Sequence, residues 1–274
     1  MILLVHSTRD VAGVNIAKSI LHLYPFTKTM QTYQENPIYT AEMKGKKITF
    51  LTLKEEAVDA QNLPEDFRNV QLIVFISRHS SQSGKPTLSV HTTGNFGEAV
   101  LGGLTRTLSV APAVAMQTAL KALYRLKQEM NLNYEVSYEC THHGPSLNAP
   151  VMFVELGSSE AQWNDSTAAQ AVGDAAMSAI ADFSATSGSA VLGIGGPHYN
   201  QKFTRLALDD EVAFGHIIPK YAVSAVDSAM ISQCVKKTLE KVSLAVLDWK
   251  GIMSQDKPKL ISTLQDVGLP FKKF

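Results

Sequence analysis

Met1-Ile-Leu-Leu-Val-His6, followed by Ser7-Thr8-Arg9-Asp10 and the stretch 11–23, is the segment whose reading decides the fold. A short, unbroken apolar run reads as a strand buried on both faces. The Ser/Thr/Asp cluster after it reads as a turn and helix cap, and the apolar spacing from Val11 to Leu23 predicts a helix. Strand, loop and helix in that order open an α/β protein. Working outward, Ile38 to Glu42 and Lys47 to Leu53 alternate around Lys44-Gly45 as a hairpin, and Val70 to Ile76 is a central strand. Helices are predicted over Ala113–Met130, Ser166–Phe183 and Ser228–Lys241. Strands are predicted over Tyr134–Glu139, Pro150–Leu156, Ala190–Ile194, Phe203–Leu208 and Val212–Ile218. The alternation predicts a three-layer α/β/α fold with a mixed sheet, in one domain spanning 1–274 whose last residues, 255–274, are peripheral.

With 274 residues, 45% of them hydrophobic and 18% charged, the chain can bury a substantial core. Its 17 Gly and 11 Pro are ordinary, and no repeat or low-complexity stretch appears. The opening lacks a basic leader, and no apolar stretch reaches the roughly 18 residues of a membrane span. The two cysteines, Cys140 and Cys234, argue against a disulfide scaffold. A soluble, cytoplasmic enzyme is expected. Acidic and basic residues balance at 25 each, which disfavours indiscriminate coating of nucleic acid. Local clusters at Lys44, Lys46 and Lys47, at Lys236, Lys237 and Lys241, and at Lys272 and Lys273 could touch phosphates, though each alone reads more simply as solvated lysines.

The histidines are not scattered. His79, His91, His142, His143, His198 and His216 fall in polar or glycine-bearing segments beside strand ends, whereas His6 and His22 do not. Sites in open α/β sheets form beyond strand ends, so these imidazoles point to one convergent pocket. Ser77-Arg-His79-Ser-Ser81 could bind metal, shuttle a proton or hold phosphate; a loop histidine bonded to backbone is the plain alternative. It opens a polar segment, Ser77 to Arg106, too long for a routine connection. Within it, His91-Thr-Thr-Gly-Asn95 offers an imidazole and two hydroxyls, or simply a polar turn.

The densest cluster is Glu139-Cys140-Thr141-His142-His143-Gly144-Pro145. If extended, it puts Cys140 and His142 on one face and Glu139, Thr141 and His143 on the other. One histidine could then ligate metal while its neighbour orients a group or donates a proton. Glu155 interrupts an apolar strand, and a buried carboxylate must be paired, metal-bound or protonated unless it sits at an exposed strand end. Gly157-Ser-Ser-Glu160 reads as a turn into a helix, with Trp163 packing in the core. The turn Gly193-Ile-Gly195-Gly196-Pro197-His198-Tyr199 lets backbone N–H groups approach a ligand oxygen, but lacks the lysine of a phosphate-binding loop. Gly215-His216 is a weaker case of the same kind.

Together, Ser77-Arg-His79-Ser-Ser, His91-Thr-Thr-Gly-Asn95, Glu139-Cys-Thr-His-His-Gly-Pro145, Glu155-Leu-Gly-Ser-Ser-Glu160, Gly195-Gly-Pro-His-Tyr199 and Gly215-His216 resemble the archaeal and plant D-aminoacyl-tRNA deacylases, from the first strand to about Lys241. The resemblance implies hydrolysis of the ester joining a D-amino acid to the terminal ribose of tRNA, with zinc as cofactor. It also implies a fold similar to peptidyl-tRNA hydrolases and nucleoside phosphorylases. On chemical grounds His142, Glu155 and His198 are expected to bind the zinc, and His79, His91 or His143 to move protons. Thr93 and Asn95 are expected to bind substrate, and the Gly195 and Gly196 amides to face the developing oxyanion. The partner is the acceptor end of D-aminoacyl-tRNA, with no membrane and no obligate protein partner. A zinc amidohydrolase or peptidase, a non-catalytic RNA-binding or metal-storage module, and a phosphate-dependent phosphorylase-like enzyme are the rival readings.

Overall fold

The computed structural model describes residues 1–185, 188–210 and 212–274. In chain order these form β1 (Ile2–Ser7), α1 (Val11–Leu23), β2 (Thr27–Tyr33), β3 (Asn36–Met43), β4 (Lys46–Leu53), α2 (Leu63–Asp66), β5 (Leu72–Ser80), β6 (Thr87–His91), α3 (Ala113–Glu129) and β7 (Glu135–Tyr138). The second half adds β8 (Val151–Ser158), α4 (Glu160–Trp163), α5 (Ser166–Asp182), β9 (Ser189–Ile194), α6 (Gln201–Asp209), β10 (Phe214–Ile218), α7 (Ser228–Lys236), β11 (Lys241–Leu247), α8 (Lys257–Val267) and β12 (Phe271–Lys273). An eight-stranded mixed sheet has the order β2-β3-β4-β1-β5-β8-β6-β7, and a four-stranded parallel sheet has the order β10-β9-β11-β12.

The opening strand sits in the middle of the large sheet, parallel to β4 and β5, and is buried throughout. Ile2 and Leu4 face the helices α1, α3 and α5, while Leu3 and Val5 face a second apolar layer with Ala57, Ala60, Leu63 and Leu147. The mixed sheet flanked by helices is therefore as expected. Asp10 starts α1 by accepting from the Gly13 amide at 2.9 Å, leaving the helix to pack on the alanine-rich α5. A Cβ on Gly173 would stand 2.9 Å from Ile20, so that crossing is close because glycine occupies it. The smaller sheet places Val191, Phe214, Ile217 and Val246 toward α3 and α6, and Leu192, Ile194, Ile218 and Leu247 toward α7 and α8.

Three local expectations are corrected. Phe203 to Leu208 belongs to helix α6, because the Asn200 side chain accepts from the Phe203 amide and Phe203, Leu206 and Ala207 bury one helical stripe. The helix from Ser228 ends at Lys236, since Lys241 already pairs in β11 beside β9. The polar segment after Ser77 is not one loop: β5 continues to Ser80, and β6 joins the sheet between β8 and β7. The two sheets are stitched together by backbone hydrogen bonds from Cys140 N to His198 O (2.9 Å), Asn200 N to Tyr138 O (3.0 Å) and Thr141 N to Ile217 O (2.9 Å). Among the described residues, no helix is long and apolar enough to cross a membrane.

Candidate active site

One face of the large sheet changes character along its strands. It begins apolar at Ile73 and Val151, continues through Phe75, Phe153 and His91 in one row, and then turns polar at Ser77, Glu155, Ser89 and Ser137 in the next. Period-two geometry keeps these rows on one side, so a pocket forms where β5 and β8 end. His79 lies across Gly157 of β8, where a Cβ would come within 2.6 Å of its own Cβ. The turn after β9 brings in His198 and Tyr199, and the chain beyond β7 brings in Glu139, His142 and His143. The resulting cavity, about 590 Å³, is also lined by Asp10, Glu56, Arg78 and Leu101.

Glu139 is the hub. Its Oε2 accepts from His198 Nε2 at 2.9 Å and lies 3.7 Å from His142 Nε2. Its Oε1 is 3.1 Å from His79 Nδ1, off the angle of a hydrogen bond, and so stays unpartnered though buried. Glu155 accepts from Ser77 Oγ at 2.7 Å, with His91 Nε2 at 3.5 Å and His79 Nδ1 at 3.7 Å. Three imidazoles are tied at Nδ1 to nearby carbonyls: His91 to Thr92 O (3.1 Å), His142 to Cys140 O (2.9 Å) and His143 to Gly144 O (2.6 Å). A carbonyl only accepts, so each Nδ1 carries a proton; in His142 and His143 the Nε2 then presents a lone pair, the tautomer a metal requires, whereas His91 Nε2 faces the Glu155 carboxylate. The ligand atoms of His91, His142 and His143 lie within 4.8 Å of one another, as do those of Glu139, His142 and His198, and those of His79, Glu139 and Glu155.

The electrostatics divide the imidazoles. Burial opposes charge on His79, but Glu139 and Glu155 outweigh it and push its pKa up to about 11. His91 is likewise raised against its burial, chiefly by Glu155. His142 is held well below its ordinary value by burial and then by His143 and His91, and His143 is lowered to about 4 by burial and then by His91. Although burial alone would raise both carboxyls, imidazole partners hold Glu139 well below the usual range and Glu155 at about 2. A protonated His79 donates from Nε2 to the Tyr199 hydroxyl, 2.9 Å away, while Trp163 Nε1 donates to His79 O at 2.9 Å and fixes its backbone.

The structure thus gathers His79, His91, His142, His143, Glu155 and His198. It does not gather the rest. Thr93 is buried, its hydroxyl donating to Pro145 O beside Ser109. Asn95 donates to Gly102 O and Leu104 O and so ties its own loop. The Gly195 and Gly196 amides are committed to Ile218 O (2.8 Å) and Gly251 O (3.3 Å), which leaves no donor for an oxyanion. Buried His216 meets Thr141 Oγ1 and Lys237 O. Two groups were overlooked. Glu139 carries the same signal as Glu155, a carboxylate at the end of an apolar strand. The period-two reading misplaced it because β7 ends at Tyr138 and His143 adopts a φ of 42°. Tyr199 gave no signal of its own beyond its neighbour.

Fold and pocket define an α/β protein with a buried imidazole and carboxylate cluster whose ligand atoms lie close enough together to hold a metal ion. Residues 66–272 match the family model described as D-aminoacyl-tRNA deacylase, and the chain belongs to that family. It is similar to the D-aminoacyl-tRNA deacylases of Thermococcus onnurineus (35% identity over 268 residues, 96% of each chain) and Pyrococcus abyssi (34% over 270, 96% of each). A Methanosarcina barkeri relative of the same name is 33% identical, with 99% of this chain and 89% of the relative covered. A solved structure titled a conserved protein of unknown function superposes with a TM-score of 0.88 at 29% identity, covering all of this chain and 95% of that one.

Proposed function

We propose that this protein hydrolyses the ester of D-aminoacyl-tRNA, releasing the D-amino acid and tRNA in the cytoplasm, with zinc held by Glu139, His142 and His198. The observation that carries the metal is the grouping of Glu139 and His198 with His142, whose Nδ1 is tied to the Cys140 carbonyl so that its Nε2 faces the carboxylate. Beside them the buried Glu139 Oε1 makes no hydrogen bond, though it lies 3.1 Å from His79 Nδ1. Glu139 takes the place expected of Glu155, because Glu139 lies with His142 and His198 while Glu155 is engaged by Ser77 and His91. Zinc supplies Lewis-acid polarisation of water and of an ester carbonyl.

The chain's own residues do the rest. His143, neutral and with Nε2 free, takes the proton of the attacking water. His79 is held as a cation between two carboxylates, which unfits it as a base. Its Nε2–H satisfies the Tyr199 oxygen and turns the hydroxyl proton outward toward the developing oxyanion. His91 backs the His142/His143 pair from inside the sheet, stacked on Phe153. Family membership favours this reading over an amidohydrolase or an inert RNA-binding module.

The test is release of amino acid from D-tyrosyl-tRNA and L-tyrosyl-tRNA, before and after chelation and zinc add-back. Selective hydrolysis of the D ester, lost on chelation and restored by zinc, is expected. Equal attack on both esters removes the chiral assignment, and activity indifferent to chelation removes the metal.

A further inference from the structure

A second cavity, about 430 Å³, adjoins the first across a wall made by His142, His143 and Leu101, which line both. The two differ in chemistry. The first collects four carboxylates, from Asp10, Glu56, Glu139 and Glu155, together with Arg78 and His79, which pair with them, and it holds the reactive cluster. The second is lined by Phe96, Val100, Tyr221, Ala222 and Ala225, with Glu98 its single acidic lining residue. Val100 is 89% exposed and Leu101 and Tyr221 more than half so, yet the tip is not loose. Asn95 holds it through the carbonyls of Gly102 and Leu104, and Arg106 N bonds Gly97 O at 2.8 Å. An apolar tip fixed in the open beside a reactive centre is a surface built for a ligand.

We infer that this second cavity receives the terminal adenosine of the tRNA acceptor end, its base on Tyr221 and against Val100, while the aminoacyl group occupies the first. The inference rests on the deacylase reading and specifies which side of the ester lies where. Charge supports it. Lys259 donates to Ser224 O and Lys220 precedes Tyr221, so two lysines border the rim over which the phosphodiester chain must leave, beside Arg106, which donates to Ala225 O and pairs with Asp227 at 2.6 Å. Base stacking on an aromatic ring tolerates any tRNA body, as an enzyme that reads only the ester requires. Tyr221 also bonds His198 Nδ1 at 3.2 Å, so a seated base presses on a residue of the reactive cluster.

The probe is adenosine 5′-monophosphate, titrated calorimetrically into wild type and into the Tyr221→Ala, Tyr221→Phe and Val100→Asp variants, with thermal unfolding as a check on folding. Saturable binding by wild type is expected, kept by Tyr221→Phe and weakened about 10–100-fold by Tyr221→Ala and Val100→Asp, with KM for D-tyrosyl-tRNA rising in parallel. Absent or unaltered nucleotide binding overturns the inference. So does an equal rise in KM for D-tyrosine methyl ester, which has no nucleoside and would place the amino acid side chain here. A protein that cleaves D-tyrosyl-tRNA but ignores the nucleotide loses only this inference. One that binds the nucleotide here but leaves the charged tRNA intact loses the deacylase reading instead.

Discussion

His198 Nε2 and Glu139 Oε2 stand 2.9 Å apart, joining the turn after β9 of the small sheet to the chain just beyond β7 at the edge of the large one. Glu139→Gln keeps the shape and removes the charge, so zinc content per chain should fall and kcat/KM should drop about 100-fold or more. Glu155→Gln should lower activity with less loss of metal. Metal analysis of both proteins decides between the two carboxylates, and the reverse order would restore Glu155 as the ligand.

Stability of the metal-free protein should decline as pH falls from about 6.5 to 4. His6, His143 and His216 have folded-state pKa values near 4, lowered first by burial, whereas the unfolded chain takes up their protons near 6.5. In that window the unfolded state binds more protons, so each such histidine contributes a slope of about 1.4 kcal/mol per pH unit. Chemical denaturation at several pH values measures it. His216→Gln should flatten the dependence, and an unchanged slope would clear His216 of the role. The ion pairs act elsewhere on the scale. The stabilisation from Glu155, whose pKa is lowered, persists above about 4.5 and is lost toward 2, while that from His79, whose pKa is raised, is full below 6.5 and lost toward 11.

Gly144→Ala should cripple both folding and turnover. A Cβ there would lie 2.2 Å from Gly103 N and 2.4 Å from Val58 O, backbone atoms that cannot swing aside. Forcing them apart displaces the two segments that wall the first cavity, so a loss of about 1–3 kcal/mol is expected in denaturant titrations, with activity falling alongside.

Trp163→Phe retains the ring but removes the indole donor to the His79 carbonyl. Stability should fall by about 1 kcal/mol and kcat several-fold, with KM little changed, because the change loosens the placement of His79 rather than the binding of substrate. Steady-state kinetics on D-tyrosyl-tRNA checks the split.

Much of the fold was readable because its core strands, β1, β5 and β8, open on apolar runs and its long helices carry clear spacing. What escaped was decided by contacts distant in sequence or by a single cap. Phe203 to Leu208 looks like a strand until Asn200 is seen to cap it. Strand β6 hides in polar sequence because Ser89 and His91 belong to the pocket face and not to solvent. The site histidines were legible from their company of strand ends and glycines. Their roles were less so: Gly195 and Gly196 suggested free amides, but where an amide's hydrogen bond goes is settled by the neighbouring Ile218 and Gly251.

The Nδ1 tethers of His91, His142 and His143 reach carbonyls only one or two residues away, whereas His198 lies 59 residues beyond Glu139 and Tyr199 lies 120 beyond His79. Orientation of the first set is a property of short peptide, present as soon as the turn forms. The second set exists only while the small sheet is seated on the large one. The pocket is therefore also a clasp, and any slackening of the seam between sheets silences the chemistry before either sheet unravels.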